Sequence, residues 1–238
     1  MDKLPPSFAP ILGVILLVTG GILYAFYIFV ASIPQPNLAA TDDRLIESND
    51  PLISKVQNKI ISWPTSRPKN FTLGNTEAPV KIYEFSDFSC PYCKTMAASL
   101  KAAASRHPEV QLIWKDFPVT SLHPESVAAH QAAWCAGEQN KFWEYHDKLF
   151  EAQGNFSRAA SLSIAQALEL KLSSFTACLD DTTPLQIIAA NVQEGNDLNI
   201  DGTPYLFIGD QKISGVISDE ELEQVITLQK QLNQTNKK

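Results

Sequence analysis

Val80-Lys81-Ile82-Tyr83-Glu84-Phe85-Ser86-Asp87-Phe88-Ser89-Cys90-Pro91-Tyr92-Cys93 is the stretch on which the reading of this chain turns. Its first half is β-branched and aromatic, with no breaker before Ser86-Asp87, and predicts a strand. Its second half runs into an Ala- and Leu-rich helix from Lys94 to about Arg106. Two cysteines two residues apart therefore stand where a strand ends and a helix begins. There the free N–H groups and the positive helix end favour a thiolate at Cys90. Cys93, one turn further in, is placed to attack a mixed disulfide from inside. Pro91 suits the first helical turn because it has no N–H to lose. By itself a C-x-x-C pair is equally compatible with half of a zinc site or with two incidental buried thiols.

Far downstream lie Asp201-Gly202-Thr203-Pro204 and the apolar run Tyr205-Leu206-Phe207-Ile208. E-F-S-D-F-S-C-P-Y-C at Glu84–Cys93 and G-T-P at Gly202–Pro204, in this order, resemble the thioredoxin superfamily, most closely its DsbA-like thiol–disulfide oxidoreductases. The resemblance runs from about Gly74 to about Leu232. It implies an α/β thioredoxin fold with an inserted helical subdomain, and an enzyme that needs no cofactor. It implies Cys90 as nucleophile, Cys93 as resolving thiol, and a cis-Pro204 whose loop faces the C-x-x-C and offers the Thr203 backbone to a substrate strand. It further implies a proton-transfer role for Glu84 when Cys93 ionises. Burial raises a carboxyl pKa and makes such a group a base near neutrality; the alternative is a solvent-facing strand residue. Lys115, on the neighbouring strand, is the candidate partner of Glu84. Tyr92 stands where the best-known DsbA oxidases carry histidine, so a less extreme oxidant is expected. Some glutaredoxins and isomerases share C-P-Y-C, which leaves the direction of reaction open.

The 238 residues, 45% hydrophobic and 19% charged, suffice for one membrane segment plus one globular domain. A net charge of −7 without a basic cluster argues against a nucleic-acid partner. A zinc site wants a second closely spaced pair, whereas Cys135 and Cys178 stand far apart. No charge occurs between Lys3 and Asp42, and Ile11–Ile33 is almost wholly apolar, long enough to span a bilayer. It exceeds the roughly 7–15-residue apolar core of a cleaved signal peptide. The expected organisation is a cytoplasmic start at 1–10, a transmembrane anchor at 11–33 and a proline-punctuated linker at 34–73, with room for a short helix over Leu52–Ile61. The DsbA-like domain follows at 74–232, its helical insert at about 120–198, and a disordered tail at 233–238. Lys3 before the span and Asp42-Asp43 after it lean towards an extracytoplasmic C-terminal domain, as does lasting disulfide chemistry. The expected location is a bacterial cell membrane, single-pass. The expected partners are exported proteins with cysteine thiols and a membrane redox partner that reoxidises Cys90–Cys93.

After a second strand at Val110–Lys115, the periodicity predicts helices over Pro124–Ala136, Lys141–Ala152, Ser157–Leu170 and Ser173–Leu179. A further helix is capped by Thr183, with Pro184 in its first turn. Strands at Tyr205–Gly209 and Gln211–Val216 precede a last helix with a capping box, Ser218 to Glu221. Cys135 and Cys178 read as a structural disulfide tying two helices of the insert, or as two buried thiols acting as small apolar residues. His107, His123, His130 and His146 read as caps and surface residues. Two rival functions remain: a reductase or isomerase of the same fold, and a non-enzymatic anchored domain that binds extended peptides through Thr203-Pro204.

Overall fold

Strand β2, Val80–Ser86, is buried along its length apart from Lys81. A strand covered on both faces needs a continuous apolar run instead of alternation, which is what this stretch supplies. The computed structural model describes residues 63–65 and 70–235. The expected anchor at 11–33, the helix at Leu52–Ile61 and the last three residues lie outside them. Among the described residues no helix is long and apolar enough to cross a membrane.

β2 pairs in parallel with β3 (Val110–Asp116) and antiparallel with β4 (Tyr205–Ile208). β1 (Thr72–Gly74) adds an antiparallel edge beside β3, and β5 (Gln211–Ser214) does so beside β4, giving the order β1-β3-β2-β4-β5. The sequence reading assigns no strand at β1, which is too short to show a period. Gly209 makes the β4–β5 turn at φ +57°, a left-handed conformation open to glycine at no steric cost.

Helix α1 (Pro91–Arg106) and the last helix, α7 (Asp219–Thr235), cover one face of the sheet. There Val80, Ile82, Leu112, Leu206 and Ile208 meet Met96, Leu100, Leu222 and Ile226. On the other face Tyr83, Phe85, Ile113 and Phe207 pack with Phe117, Leu198, Ile200, Val192 and Trp63. Between β3 and β4 comes the helical insert: α2 (Ser126–Gly137), α3 (Phe142–Glu151), α4 (Arg158–Ala167), α5 (Leu172–Leu179) and α6 (Thr183–Asp197). α2 is lined with small residues, so Ala129, Ala132, Ala133 and Ala136 let neighbouring aromatics such as Phe142 and Tyr145 pack close. Cys135 and Cys178 form a disulfide between α2 and α5. The insert's core also contains Phe88, Cys90, Cys93 and Trp114, so the C-x-x-C is wedged between sheet and insert.

α1 takes Pro91 into its first turn, as expected, ahead of the Ala- and Leu-rich stretch from Lys94. Two local expectations need correction. Thr183 is the first residue of α6 and not its cap: the N-cap is Thr182, without a side-chain cap bond, and Asp181 Oδ1 accepts from both the N–H and the hydroxyl of Thr183 at 3.0 Å. α7 runs through Asn233, expected in a disordered tail, as far as Thr235; the Asn233 amide donates to the Pro79 carbonyl at 2.9 Å.

Candidate active site

The β2–α1 turn makes Cys90 the N-cap of α1 in extended conformation (φ −78°, ψ 121°), with Pro91 next. Its sulfur thus faces the first free N–H groups of the helix. Cys90 keeps 7% of its surface exposed and Cys93 none, so a protein thiol can reach only the first. The Cys90 thiol is lowered to about 5. The main cause is the hydrogen bond from the Cys93 thiol; burial opposes it, and the Cys93 N–H, the Thr203 hydroxyl and the Tyr92 N–H assist. Cys93 is pushed well up, first by burial and then by Cys90 beside it. The Asp87 N–H donates to Cys93 Sγ at 3.4 Å. Opposite, the Thr203–Pro204 peptide is cis and the Thr203 carbonyl accepts from Cys90 Sγ at 3.3 Å. The Gly215 N–H donates to the Pro204 carbonyl at 2.8 Å and ties that loop to the end of β5. Tyr92 stands 66% exposed at the rim.

Glu84 is wholly buried on β2 and its pKa is raised to about 7, chiefly by burial, with the Ser86 hydroxyl pulling the other way. The expected pairing of Lys115 with Glu84 does not occur. In the β2–β3 register Glu84 stands beside Trp114, and Lys115 beside Phe85. Side chains alternate across a strand, so Lys115 projects to the opposite face. There its Nζ meets Glu194 Oε2 at 2.8 Å, the Thr65 carbonyl at 2.5 Å and Asn70 Oδ1 at 3.1 Å.

Several contributors escaped the sequence reading. Asp87 is a buried hub: its carboxylate accepts from the N–H groups of Ser89 and Val119, each at 2.8 Å, and from the Ser126 hydroxyl. It thereby holds the loop before Cys90 against the segment after β3. Gln153, in the insert, donates to the carbonyls of Phe88 and Cys90, each at 2.9 Å. His130 and His146, expected on the surface, are buried. His130 Nδ1 bonds Asp116 Oδ1 at 2.7 Å, where Trp114 Nε1 and Asn191 Nδ2 also reach the Asp116 carboxylate. The Asp in a strand-end S-D-F turn was a usable signal for the hub; nothing local marked Gln153 or the histidines. Among the described residues no group of three His, Cys, Asp or Glu side chains is arranged to hold a metal. What the site can do is thiol–disulfide exchange: an accessible thiolate, a buried thiol behind it, and a carboxyl that titrates near neutrality.

A family model described as thioredoxin matches residues 66–227. A Na(+)/H(+) antiporter of Salinispora arenicola is 32% identical over 164 residues, which are 69% of this chain and 25% of the antiporter. The chain thus spans a quarter of the length of that relative. A protein of Bacillus anthracis named "Probable disulfide bond formation protein D" is 31% identical over 100 residues, 40% of this chain and 44% of its own length. Among solved structures, a thioredoxin-like oxidoreductase from Silicibacter pomeroyi superposes with a TM-score of 0.64 at 25% identity, covering 69% of this chain and 94% of that one. The thiol-disulfide exchange protein alpha-DsbA2 from Wolbachia pipientis gives 0.63 at 23% identity, covering 74% and 92%.

Proposed function

Because the chain belongs to the thioredoxin family and shares its fold with a thiol–disulfide exchange protein, we propose that it forms disulfide bonds in exported proteins. A substrate thiolate attacks Cys90 Sγ of the Cys90–Cys93 disulfide; that bond breaks, and Cys93 leaves with the electron pair and is protonated from Glu84. The second substrate thiolate attacks the substrate sulfur of the mixed disulfide and releases the Cys90 thiolate. Two electrons pass from substrate to enzyme, and a disulfide of a membrane redox partner takes them up. Residues 11–33 anchor the chain, and the catalytic domain works outside the cytoplasm.

The observation that carries this reading is the asymmetry of the two cysteines. Cys90 is accessible and lowered to about 5, while Cys93 is enclosed and pushed up. A thiolate so favoured stabilises the reduced enzyme, which makes the disulfide form an oxidant. The name of the Bacillus anthracis relative supports the same direction. Disulfide formation in a reduced model substrate, compared between wild type and Cys90→Ser, is the test. Undiminished function in the variant would leave only a peptide-binding domain. Equilibration with glutathione decides direction: a potential near about −270 mV, that of thioredoxin, would make the protein a reductase.

A further inference from the structure

Ser86 is a buried hydroxyl that the exchange chemistry above leaves unused. It lies two residues beyond Glu84 on β2, and the alternation of a strand turns both to the side where Val80 and Ile82 meet α1. Both side chains are wholly buried, and neither the Glu84 carboxyl oxygens nor Ser86 Oγ has a well-formed hydrogen bond. Buried polar groups are rarely left so, and each that is calls for a reason. The next residue, Asp87, brings its N–H to 3.4 Å from Cys93 Sγ, so the end of β2 lies against that thiol. Strand alternation puts the Ser86 hydroxyl on the Glu84 side of β2, and the Asp87–Cys93 contact brings that end of the strand to the thiol, where a hydroxyl favours both the Glu84 and the Cys93 anions.

We propose that Ser86 Oγ relays the proton between Cys93 and Glu84. The inference rests on the thiol–disulfide exchange reading and adds a residue to it. Once Cys90 has attacked a disulfide and formed a mixed disulfide, Cys93 Sγ gives its proton to Ser86 Oγ while the Ser86 hydroxyl proton passes to the Glu84 carboxylate. The Cys93 thiolate then attacks Cys90 Sγ. The Cys90–Cys93 bond forms, the mixed disulfide breaks, and the partner sulfur leaves as a thiolate with the electron pair. In the oxidising direction the same proton returns from Glu84 through Ser86 as Cys93 departs. Other charged groups around this face are otherwise engaged. Lys115 and Glu194 pair on the opposite face, Asp87 is held by Ser89, Val119 and Ser126, and Asp116 by Trp114, His130 and Asn191. His146 bonds Asp147 at 2.9 Å, and Cys90 is the titrating neighbour of Cys93.

The test is stopped-flow oxidation of the reduced full-length protein by oxidised glutathione over a range of pH. A bimolecular phase reports attack by Cys90, and a unimolecular phase reports release of glutathione by Cys93. Ser86→Ala is expected to slow the second phase by roughly a hundredfold, to the level of Glu84→Gln, and to erase its inflection near Glu84's pKa. Ser86→Thr, which keeps the hydroxyl, restores it. A proton inventory in mixed light and heavy water should curve in wild type, with two protons in flight, and be linear in Ser86→Ala. A wild-type pH profile in Ser86→Ala beside a slow Glu84→Gln overturns the relay and leaves Glu84 acting without it. Equal losses in Ser86→Ala and Ser86→Thr, with linear inventories throughout, reduce Ser86 to packing. Absence of the second phase in every protein, wild type included, removes the exchange reading itself.

Discussion

Glu84 is a carboxyl whose surroundings offer its charge little beyond a neighbouring hydroxyl. Its folded pKa of about 7 stands above the ordinary 4.5, so between those values the folded chain holds a proton that the unfolded chain has lost. The native state is therefore unburdened below 4.5, loses stability as the pH climbs, and carries the whole burden above about 7. That amounts to about 3 kcal/mol. Glu84→Gln should remove this slope. Urea unfolding of the oxidised protein, in which neither active-site thiol titrates, measures it against wild type at acid and alkaline pH. Parallel pH dependences in the two proteins would mean that burial is not what shifts this carboxyl. Under the proposed exchange chemistry a carboxyl that titrates near neutrality is suited to act as the base for a thiol of raised pKa.

Between elements, the Lys115–Glu194 pair joins β3 to α6 under the sheet, and Glu194 Oε1 also accepts from the Thr65 N–H at 2.7 Å and hydroxyl at 2.6 Å. Trp63 packs edge-on against Phe207 at 5.1 Å, so residues 63–65 are fastened to the domain by charge and by ring. Breaking a buried pair strands one charge. Lys115→Met alone should cost about 3–5 kcal/mol, whereas Lys115→Met with Glu194→Leu should recover most of it. A double-mutant cycle by chemical denaturation checks this, and additive losses would refute the coupling. The α2–α5 disulfide acts differently. It closes a chain segment with a sequence separation of 43, so replacing Cys135 and Cys178 by alanine should lower stability by roughly 4 kcal/mol. The glutathione titration of Cys90–Cys93 should remain where it was, because the bridge holds the insert and not the redox turn.

At the scale of the whole molecule, the stability of the reduced protein and the proposed oxidant role rest on the same thiolate. In the reduced protein the Cys90 pKa is about 5 folded against an ordinary 9.0. This thiolate therefore adds stability in full above 9, and the contribution is lost as the pH falls through 5. Cys93, pushed above 9.0, does not alter that window. The oxidised protein has no thiolate to gain. The unfolding midpoint of the reduced form, minus that of the oxidised form, should grow steadily from pH 5 to pH 9. A flat difference would show that the helix terminus and the Cys93 thiol do not stabilise Cys90, and the case for an oxidant would fall with it.

Much of this was legible in the residues themselves. The breakerless Val80–Ser86 run, Pro91 after Cys90, and the Ala-rich and aromatic periods of the insert specify local conformation, since propensity, capping and period act over a few neighbours. The Gly202-Thr203-Pro204 motif located the facing loop. Lys115 marks the boundary: only the β2–β3 register, set by the packing of the whole sheet, sends it away from Glu84 and towards α6. The same holds for the Asp87 hub, the Gln153 anchor, the buried His130 and His146, and the nearness of Ser86 to Cys93. Sequence by itself determined every element but the short β1 and pointed to the two candidate sulfurs; the tertiary structure alone decided which distant side chains meet them, because a hydrogen bond or a buried charge depends on faces that close only when the core does.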